Sequence, residues 1–174
     1  MTPAAHPWLA DMERLRSRTR EPGLANQGHA ARLGGLALLQ AMIRGEVPDP
    51  PIARTLEFYL LEVERGRAVF QGLPQFSHYN PIGTVHGGWH ATLLDSAMAC
   101  AVHTLVEPGS AYTPLEFKVH CVRPLTEKTG PVRAEGKVVA SGRRTATAEG
   151  RLVDAEGRLY SHGTTTCLFI EAAA

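Results

Sequence analysis

Apolar and polar residues alternate with a period of two along much of the chain, the pattern of half-buried β-strands. Short turns separate most of these stretches, and consecutive strands on short turns make an antiparallel sheet. The six stretches are 56–63, 67–72, 112–122, 132–140, 145–153 and 159–170. We therefore predict two strands, an interruption, and then four more strands.

The interruption is an apolar run, Ala91 to Val102, that is too long for a typical strand. It follows Gly87-Gly88, so we predict a buried helix that begins at the glycines. One apolar helix placed among antiparallel strands can hide only against the concave face of their sheet. The fold class predicted from this order is α+β, with an antiparallel sheet wrapped around one long central helix.

The first fifty residues have a different pattern, which predicts two helices over 8–20 and 29–44. A proline-rich linker, Val47 to Pro51, follows the second helix. We therefore divide the chain into an N-terminal helical extension, 1–50, and one α+β domain, 51–174. The sequence assigns no function to the extension.

Composition excludes several classes of function. The chain has 174 residues and a net charge of +1, with no basic run interleaved with aromatics, so a nucleic-acid partner is not expected. Its apolar stretch 36–43 is too short to span a bilayer and no signal-peptide core is visible, which favours a cytoplasmic protein without a membrane partner. Cys100, Cys121 and Cys167 lack metal-ligand spacing, and we expect buried, reduced thiols.

The candidate chemistry lies in the stretch 80–95, a loop that runs into the central helix. Gly87 and Gly88 would let a ligand approach the first free N–H groups of the helix, which favour negative charge. Asp95 lies about two turns further along among apolar residues, where a carboxylate is costly unless it has a partner or a function. Donors and an acid on one helix provide an oxyanion stabiliser and a base, two parts that a hydrolase needs.

The spaced set Asn80-x-x-Gly83-x-x-His86-Gly87-Gly88, followed by Asp95 and Thr113, resembles the hotdog-fold acyl-CoA thioesterases of the PaaI type, named for phenylacetate degradation. The resemblance covers about residues 51–169 and includes the Gly142-Arg143 turn. It implies a hotdog fold, an acyl-CoA substrate, no cofactor and no metal. It also implies a homodimer, often paired into a homotetramer, with active sites between subunits.

The resemblance implies a role for each catalytic candidate. The Gly87 N–H and the Asn80 amide would hold the thioester carbonyl. Asp95 from the facing subunit would activate a water molecule or attack directly, and Thr113 would orient that water or Asp95. His86 would fix the turn rather than act as the base.

The resemblance also indicates where the substrate would bind. Gly88 would contact the substrate beside Gly87, and the turn Gly142-Arg143-Arg144 would meet the CoA phosphates. Pro114 departs from the family pattern, because it removes a ladder N–H just after Thr113. An aromatic acyl group is the family's suggestion, and a short or medium aliphatic acyl group is nearly as plausible.

Each candidate also has an ordinary structural interpretation. Asp95 could be a buried acid satisfied by backbone N–H groups, Asn80 a plain turn residue and Thr113 an ordinary strand residue. His86 and His90 have the spacing of metal ligands on a helix, but no third ligand is evident. Two other functions stay open at this point: a hotdog dehydratase or hydratase that uses His86 with Asp95, and a non-catalytic acyl-CoA-binding module.

Overall fold

The computed structural model describes residues 8–18, 21–26, 28 and 32–170, and all six predicted strands are present. The strands are β1 (Phe58–Glu64), β2 (Arg67–Gly72), β3 (Ala111–Cys121), β4 (Val132–Ser141), β5 (Thr145–Val153) and β6 (Leu159–Ile170). The helices are α1 (Leu9–Arg18), α2 (Gly35–Ile43), α3 (Pro51–Leu56) and α4 (Gly87–His103). All strand pairs are antiparallel, and the order across the sheet is β1-β2-β4-β5-β6-β3.

Helix α4 lies on the concave face of the sheet and carries the centre of the core. Six of its side chains have no exposed surface: Leu93, Leu94, Ala97, Met98, Ala101 and Val102. The helix lies so close to β4 that a Cβ atom on Gly136 would overlap the backbone of Ala97. This arrangement confirms the predicted α+β architecture of a sheet wrapped around one central helix.

Helix α1 covers the opposite, convex face of β1 and β2. Met12 and Leu15 of α1 are 1% exposed and belong to a second apolar cluster, which also contains Tyr59, Leu61 and Val69. The guanidinium of Arg133 stacks over the Trp8 ring, with 4.1 Å between Cζ and the ring centroid. The first two strands are therefore buried on both faces.

The two edges of the sheet differ. At the β1 edge, Arg18 of α1 donates to the Leu60 carbonyl at 2.7 Å and to the Asp49 carboxylate at 2.6 Å. These contacts satisfy an edge carbonyl and cover the strand, as natural sheets require. At the β3 edge, Leu115 is 57% exposed and Phe117 is 47% exposed. Within the described part of the chain, one edge of the sheet is therefore covered and the other is open.

The predictions for the N-terminal half needed correction. The second helix is Gly35–Ile43, shorter than the predicted 29–44, and residues 29–31 lie outside the described residues. A Cβ atom on Gly35 would overlap the His103 carbonyl, so the start of α2 is pressed against the end of α4. The predicted strand start at Leu56 was also wrong, because α3 occupies 51–56 and Glu57, with φ of +52°, turns the chain into β1.

The thiols are only partly as expected. Cys167 is buried and Cys100 is half-buried, but Cys121 is exposed because it lies at the end of the open edge strand β3.

Among the described residues, no helix is long and apolar enough to cross a membrane. The domain boundary at residue 50 stays a prediction, and the extension contributes Leu39 to the main core.

Candidate active site

Asp95 lies on α4 beside a cavity of about 270 Å³ between the central helix and the extension. Its Oδ1 atom is buried and has no hydrogen-bond partner among the described residues. An unsatisfied buried polar atom costs about 1–3 kcal/mol, and more when it is charged. Burial accordingly raises the pKa of Asp95. A perturbed acid at a cavity is a candidate functional group rather than a satisfied core carboxylate.

The surroundings of Asp95 are mainly apolar. The rings of Phe58, Phe70 and Tyr112 line the cavity, and Ser96 lies beside Asp95 on α4. Tyr112 stacks on His103 with 4.8 Å between ring centroids, which holds its ring at the cavity wall. Asp49 also lines the cavity, but its carboxylate is paired with Arg18. The cavity therefore suits an apolar ligand group placed against the unpaired carboxylate of Asp95.

The start of α4 is built by His86, the residue that caps it. The Nδ1 atom of His86 accepts the Gly88 N–H at 2.8 Å, and its backbone N–H donates to the His78 carbonyl at 2.8 Å. A Cβ atom on Gly88 would lie 2.9 Å from that Nδ1, so the cap needs glycine there. The Gly87 N–H donates to no other described residue. It is the free donor at the positive end of the helix.

Asn80 organises the loop that precedes α4. Its Oδ1 accepts the backbone N–H groups of Ile82 at 3.0 Å and Thr84 at 3.2 Å, and its Nδ2 donates to the Thr84 hydroxyl at 2.9 Å. Gly83 has φ of +89°, a conformation that favours glycine. Asn80 and Gly87 line a common cavity of about 300 Å³. One amide hydrogen of Asn80 therefore has no partner among the described residues, and Asn80 shares its cavity with the free Gly87 N–H.

Within one chain, Asp95 and Gly87 belong to different cavities. Asp95 lies eight positions after Gly87 on α4, which corresponds to roughly 12 Å along the helix axis. An oxyanion donor and a base must both lie within about 3 Å of the reacting atoms, so these two residues of one chain cannot serve the same carbonyl. The structure brings together Asn80, His86, Gly87 and Gly88 and keeps Asp95 apart.

Thr113 is exposed on the open edge strand β3 and does not line the Asp95 cavity. Among the described residues, its hydroxyl donates only to the adjacent Pro114 carbonyl, at 3.4 Å. The neighbours Tyr112 and Pro114 line the cavity instead. One chain therefore does not bring Thr113 to Asp95.

The Gly142-Arg143-Arg144 turn joins β4 to β5 and lies near the C-terminal end of α4. The Gly142 N–H donates to Thr145 at 2.8 Å and the Arg144 carbonyl accepts the Phe169 N–H at 2.8 Å, so the turn is tied to β5 and β6. Both arginines are exposed, and neither forms an ion pair with a described residue. They line a surface cavity of about 380 Å³.

His90 is a site residue that the sequence reasoning missed. It is 2% exposed, lines the same cavity as Asn80 and Gly87, and its Nδ1 lies 2.6 Å from the Ser161 hydroxyl. Burial lowers the pKa of His90 to about 4, so the ring is neutral at pH 7. Its position one turn after His86 is the available signal, but in the sequence that spacing indicates only a possible metal ligand. No group of three or more candidate metal ligands occurs among the described side chains.

Comparisons with known proteins agree with this geometry. The family model of the thioesterase superfamily matches residues 82–161. A phenylacetic acid degradation-related protein of Ralstonia eutropha is 28% identical, with a TM-score of 0.68; the match covers 75% of this chain and 98% of that one. A mutant of the phenylacetic acid degradation protein PaaI of Thermus thermophilus is 33% identical, with a TM-score of 0.62; the match covers 68% of this chain and 97% of that one.

The chain belongs to the PaaI-type branch of the hotdog thioesterases. A Haemophilus influenzae thioesterase shares the hotdog fold, with a TM-score of 0.67. It is 17% identical, and the match covers 79% of this chain and 91% of that one. No curated protein is significantly similar to the chain in sequence. Membership of this thioesterase branch confirms the resemblance seen in the spaced motif, while the roles of its individual residues stay predictions.

The buried His90 of this hotdog protein should make its stability depend on pH. The unfolded imidazole takes up a proton near pH 6.5, whereas the folded one does so only near pH 4. The unfolded state therefore binds more protons between these values, and stability falls by up to about 3 kcal/mol as the pH drops across this window.

Urea unfolding from pH 7.5 to 4 for wild type and His90→Gln measures this contribution, since the variant should lose less stability on acidification. His162→Gln removes an exposed histidine instead and serves as the matched control. Parallel wild-type and His90→Gln curves would contradict the assignment.

Proposed function

We propose that the protein hydrolyses acyl-CoA thioesters to the free acid and CoA. The observation that carries this proposal is the unpartnered Asp95 carboxylate, which faces an apolar cavity on the central helix of a thioesterase fold. A thioesterase needs a base, a set of donors for the carbonyl oxygen and an apolar site for the acyl group. The described residues offer a candidate for each.

The donors would be the Gly87 N–H and the remaining amide hydrogen of Asn80. Attack on a thioester carbonyl places negative charge on its oxygen, and each donor fixed at that position is worth about 3–4 kcal/mol in comparable oxyanion holes. The N-terminal end of α4 adds the positive end of the helix dipole. His86 holds this constellation in place through its bond to Gly88 and therefore acts as a positioning residue.

Asp95 would be the base or the nucleophile. As a base, it removes a proton from water while the oxygen attacks the carbonyl carbon; the tetrahedral intermediate then collapses, the C–S bond breaks and the thiolate leaves. Thiolate is a good leaving group, so a strong second acid is unnecessary. The raised pKa of Asp95 makes the carboxylate a better proton acceptor than one in water.

The active site would form between two copies of the chain, since one copy separates Gly87 from Asp95. The open β3 edge, with the exposed Leu115 and Phe117, is the proposed dimer contact. Joining two sheets at this edge would place Thr113 at the interface, where it could orient the water or Asp95 of a shared site. A homodimer, alone or paired into a tetramer, is therefore part of the proposal.

The CoA end of the substrate is proposed to meet the Gly142-Arg143-Arg144 turn. The two guanidinium groups are exposed and unpaired among the described residues, so they can contact phosphates without first breaking an ion pair. Gly88 and the interface would carry the pantetheine arm. The apolar cavity at Asp95 would take the acyl group.

Replacement of Asp95 by Asn tests the base. We expect hydrolysis of an acyl-CoA panel, followed by chromogenic detection of the free CoA thiol, to fall by about 10²–10⁴-fold. Acyl-CoA binding and the unfolding midpoint should be retained, because the change removes a poorly solvated charge and keeps the shape of the side chain.

The pH dependence of wild type tests the same role. The base must be ionised, so kcat/KM should rise with pH through the raised pKa of Asp95.

The matched control is Glu149→Gln, which removes an exposed carboxylate from the convex face of β5 and should leave turnover unchanged. Equal loss of binding and hydrolysis in Asp95→Asn would contradict its catalytic role. Retained binding without turnover in wild type would favour the alternative of a binding module.

Arg143→Ala and Arg144→Ala test the phosphate contacts. An exposed charge pair is worth up to about 1 kcal/mol, so each change should raise the KM for an acyl-CoA about five-fold and leave kcat unaltered. The KM for an acyl thioester of N-acetylcysteamine, which has no phosphate, should not change. Arg151→Ala on the exposed face of β5 serves as control. An equal effect on both substrates would contradict the assignment.

A further inference from the structure

We propose that the N-terminal extension forms a wall of the acyl-binding cavity and that Met42 of α2 limits the length of the acyl group. This inference rests on the proposed hydrolysis at Asp95. It gives a function to a segment to which the sequence assigned none. The occupant to which we commit is the acyl group of the thioester, in a compact rather than a long-chain form.

The cavity at Asp95 is built from both parts of the chain. Leu39 and Met42 of α2, together with Asp49 and Pro50 of the linker, line the cavity along with Asp95. Leu39 is 3% exposed and belongs to the main core, whereas Met42 is only partly buried. Met42 is therefore a side chain that can change size at the cavity with limited damage to the fold.

The wall is fixed rather than loosely attached. Its far end is tied by the Arg18–Asp49 ion pair at 2.6 Å, in which the two side chains are only 9% and 4% exposed. Its near end is tied by the Gly35 N–H, which donates to the Val106 carbonyl at 2.9 Å just beyond α4. Breaking one partner of a buried ion pair is strongly destabilising, so these contacts hold α2 in one position.

The wall lies outside residues 82–161, which the thioesterase family model matches. The Ralstonia and Thermus proteins match 75% and 68% of the chain while being covered almost completely themselves. The unmatched share, a quarter to a third, is close to the size of the extension. The range matched by the family model contains Asp95, and the extension supplies a further boundary of the cavity.

The size of the cavity argues for a compact acyl group. Its volume of about 270 Å³ lies below the range of roughly 300–1,000 Å³ typical of pockets for drug-sized ligands. Leu39 and Met42 line the same cavity as Asp95, so in this proposal they limit the length of an alkyl chain that starts at Asp95. We therefore expect a short chain or a single ring as the acyl group.

Two changes at Met42 test this boundary in opposite directions. The measurement is kcat/KM on straight-chain acyl-CoAs from acetyl to dodecanoyl. Met42→Ala removes three heavy atoms from the wall and should shift the optimal chain length upward by about two carbons. Esters at the new optimum should gain on the order of ten-fold, since each buried methylene corresponds to about four-fold. Met42→Trp should move the optimum to shorter chains. Gln40→Ala, an exposed change on the same helix, should leave the profile unchanged.

The outcomes separate this inference from the proposed function. An active wild type whose chain-length profile is the same in both Met42 variants would overturn the wall and leave the hydrolysis intact. A folded wild type that cleaves none of the esters would overturn the proposed function. In that case, calorimetric binding of the same esters tests the wall directly, and equal affinities in Met42→Ala and wild type would overturn it. If Met42→Trp fails to fold, Met42→Ala alone decides.

Discussion

The burial of α4 against the concave face of the sheet is the constraint on which the rest of the structure depends. The helix approaches β4 so closely that Gly136 has no room for a side chain, and its apolar residues fill the core. A polar residue on such a helix is expensive unless it faces an opening, and Asp95 faces one. The same burial fixes where the first N–H groups of α4 emerge. One packing interaction thus positions both the acid and the donors, and also separates them.

The two edges of the sheet give the chain an asymmetry that suits a shared active site. The extension covers the β1 edge through Arg18 and Asp49 and places α2 beside Asp95. The β3 edge stays open and carries exposed apolar side chains. In our account, the closed edge shapes the acyl cavity of one copy, while the open edge receives the second copy that completes the site.

The sequence predicted most of the sheet because alternation with a period of two is a local signal. The bounds of β2, β5 and β6 agree with the predicted stretches, and α4 begins at the predicted glycines. Helix α3 was missed because Pro50-Pro51 was interpreted as a linker, although Pro can also begin a helix. The shortened α2 could not be predicted, since its start is set by contact with His103, which is remote in the sequence.

The candidate site was likewise predicted only in part from the sequence. The motif located Asp95, Gly87 and His86, because spacing along one helix is readable from the sequence. Other features depend on which elements meet in three dimensions: the internal hydrogen bonds of Asn80, the exposure of Thr113 and the His90–Ser161 contact.

The activity of mixed dimers tests our central claim, that each site takes its donor from one chain and its acid from another. Gly87→Pro removes only the N–H donor, at a first helical position where Pro is tolerated, and Asp95→Asn removes only the acid. Each variant alone should be inactive. Mixed dimers, purified by two different tags, should recover about half of the wild-type activity, because one of their two sites is intact. Inactive mixed dimers would contradict a site shared between two chains.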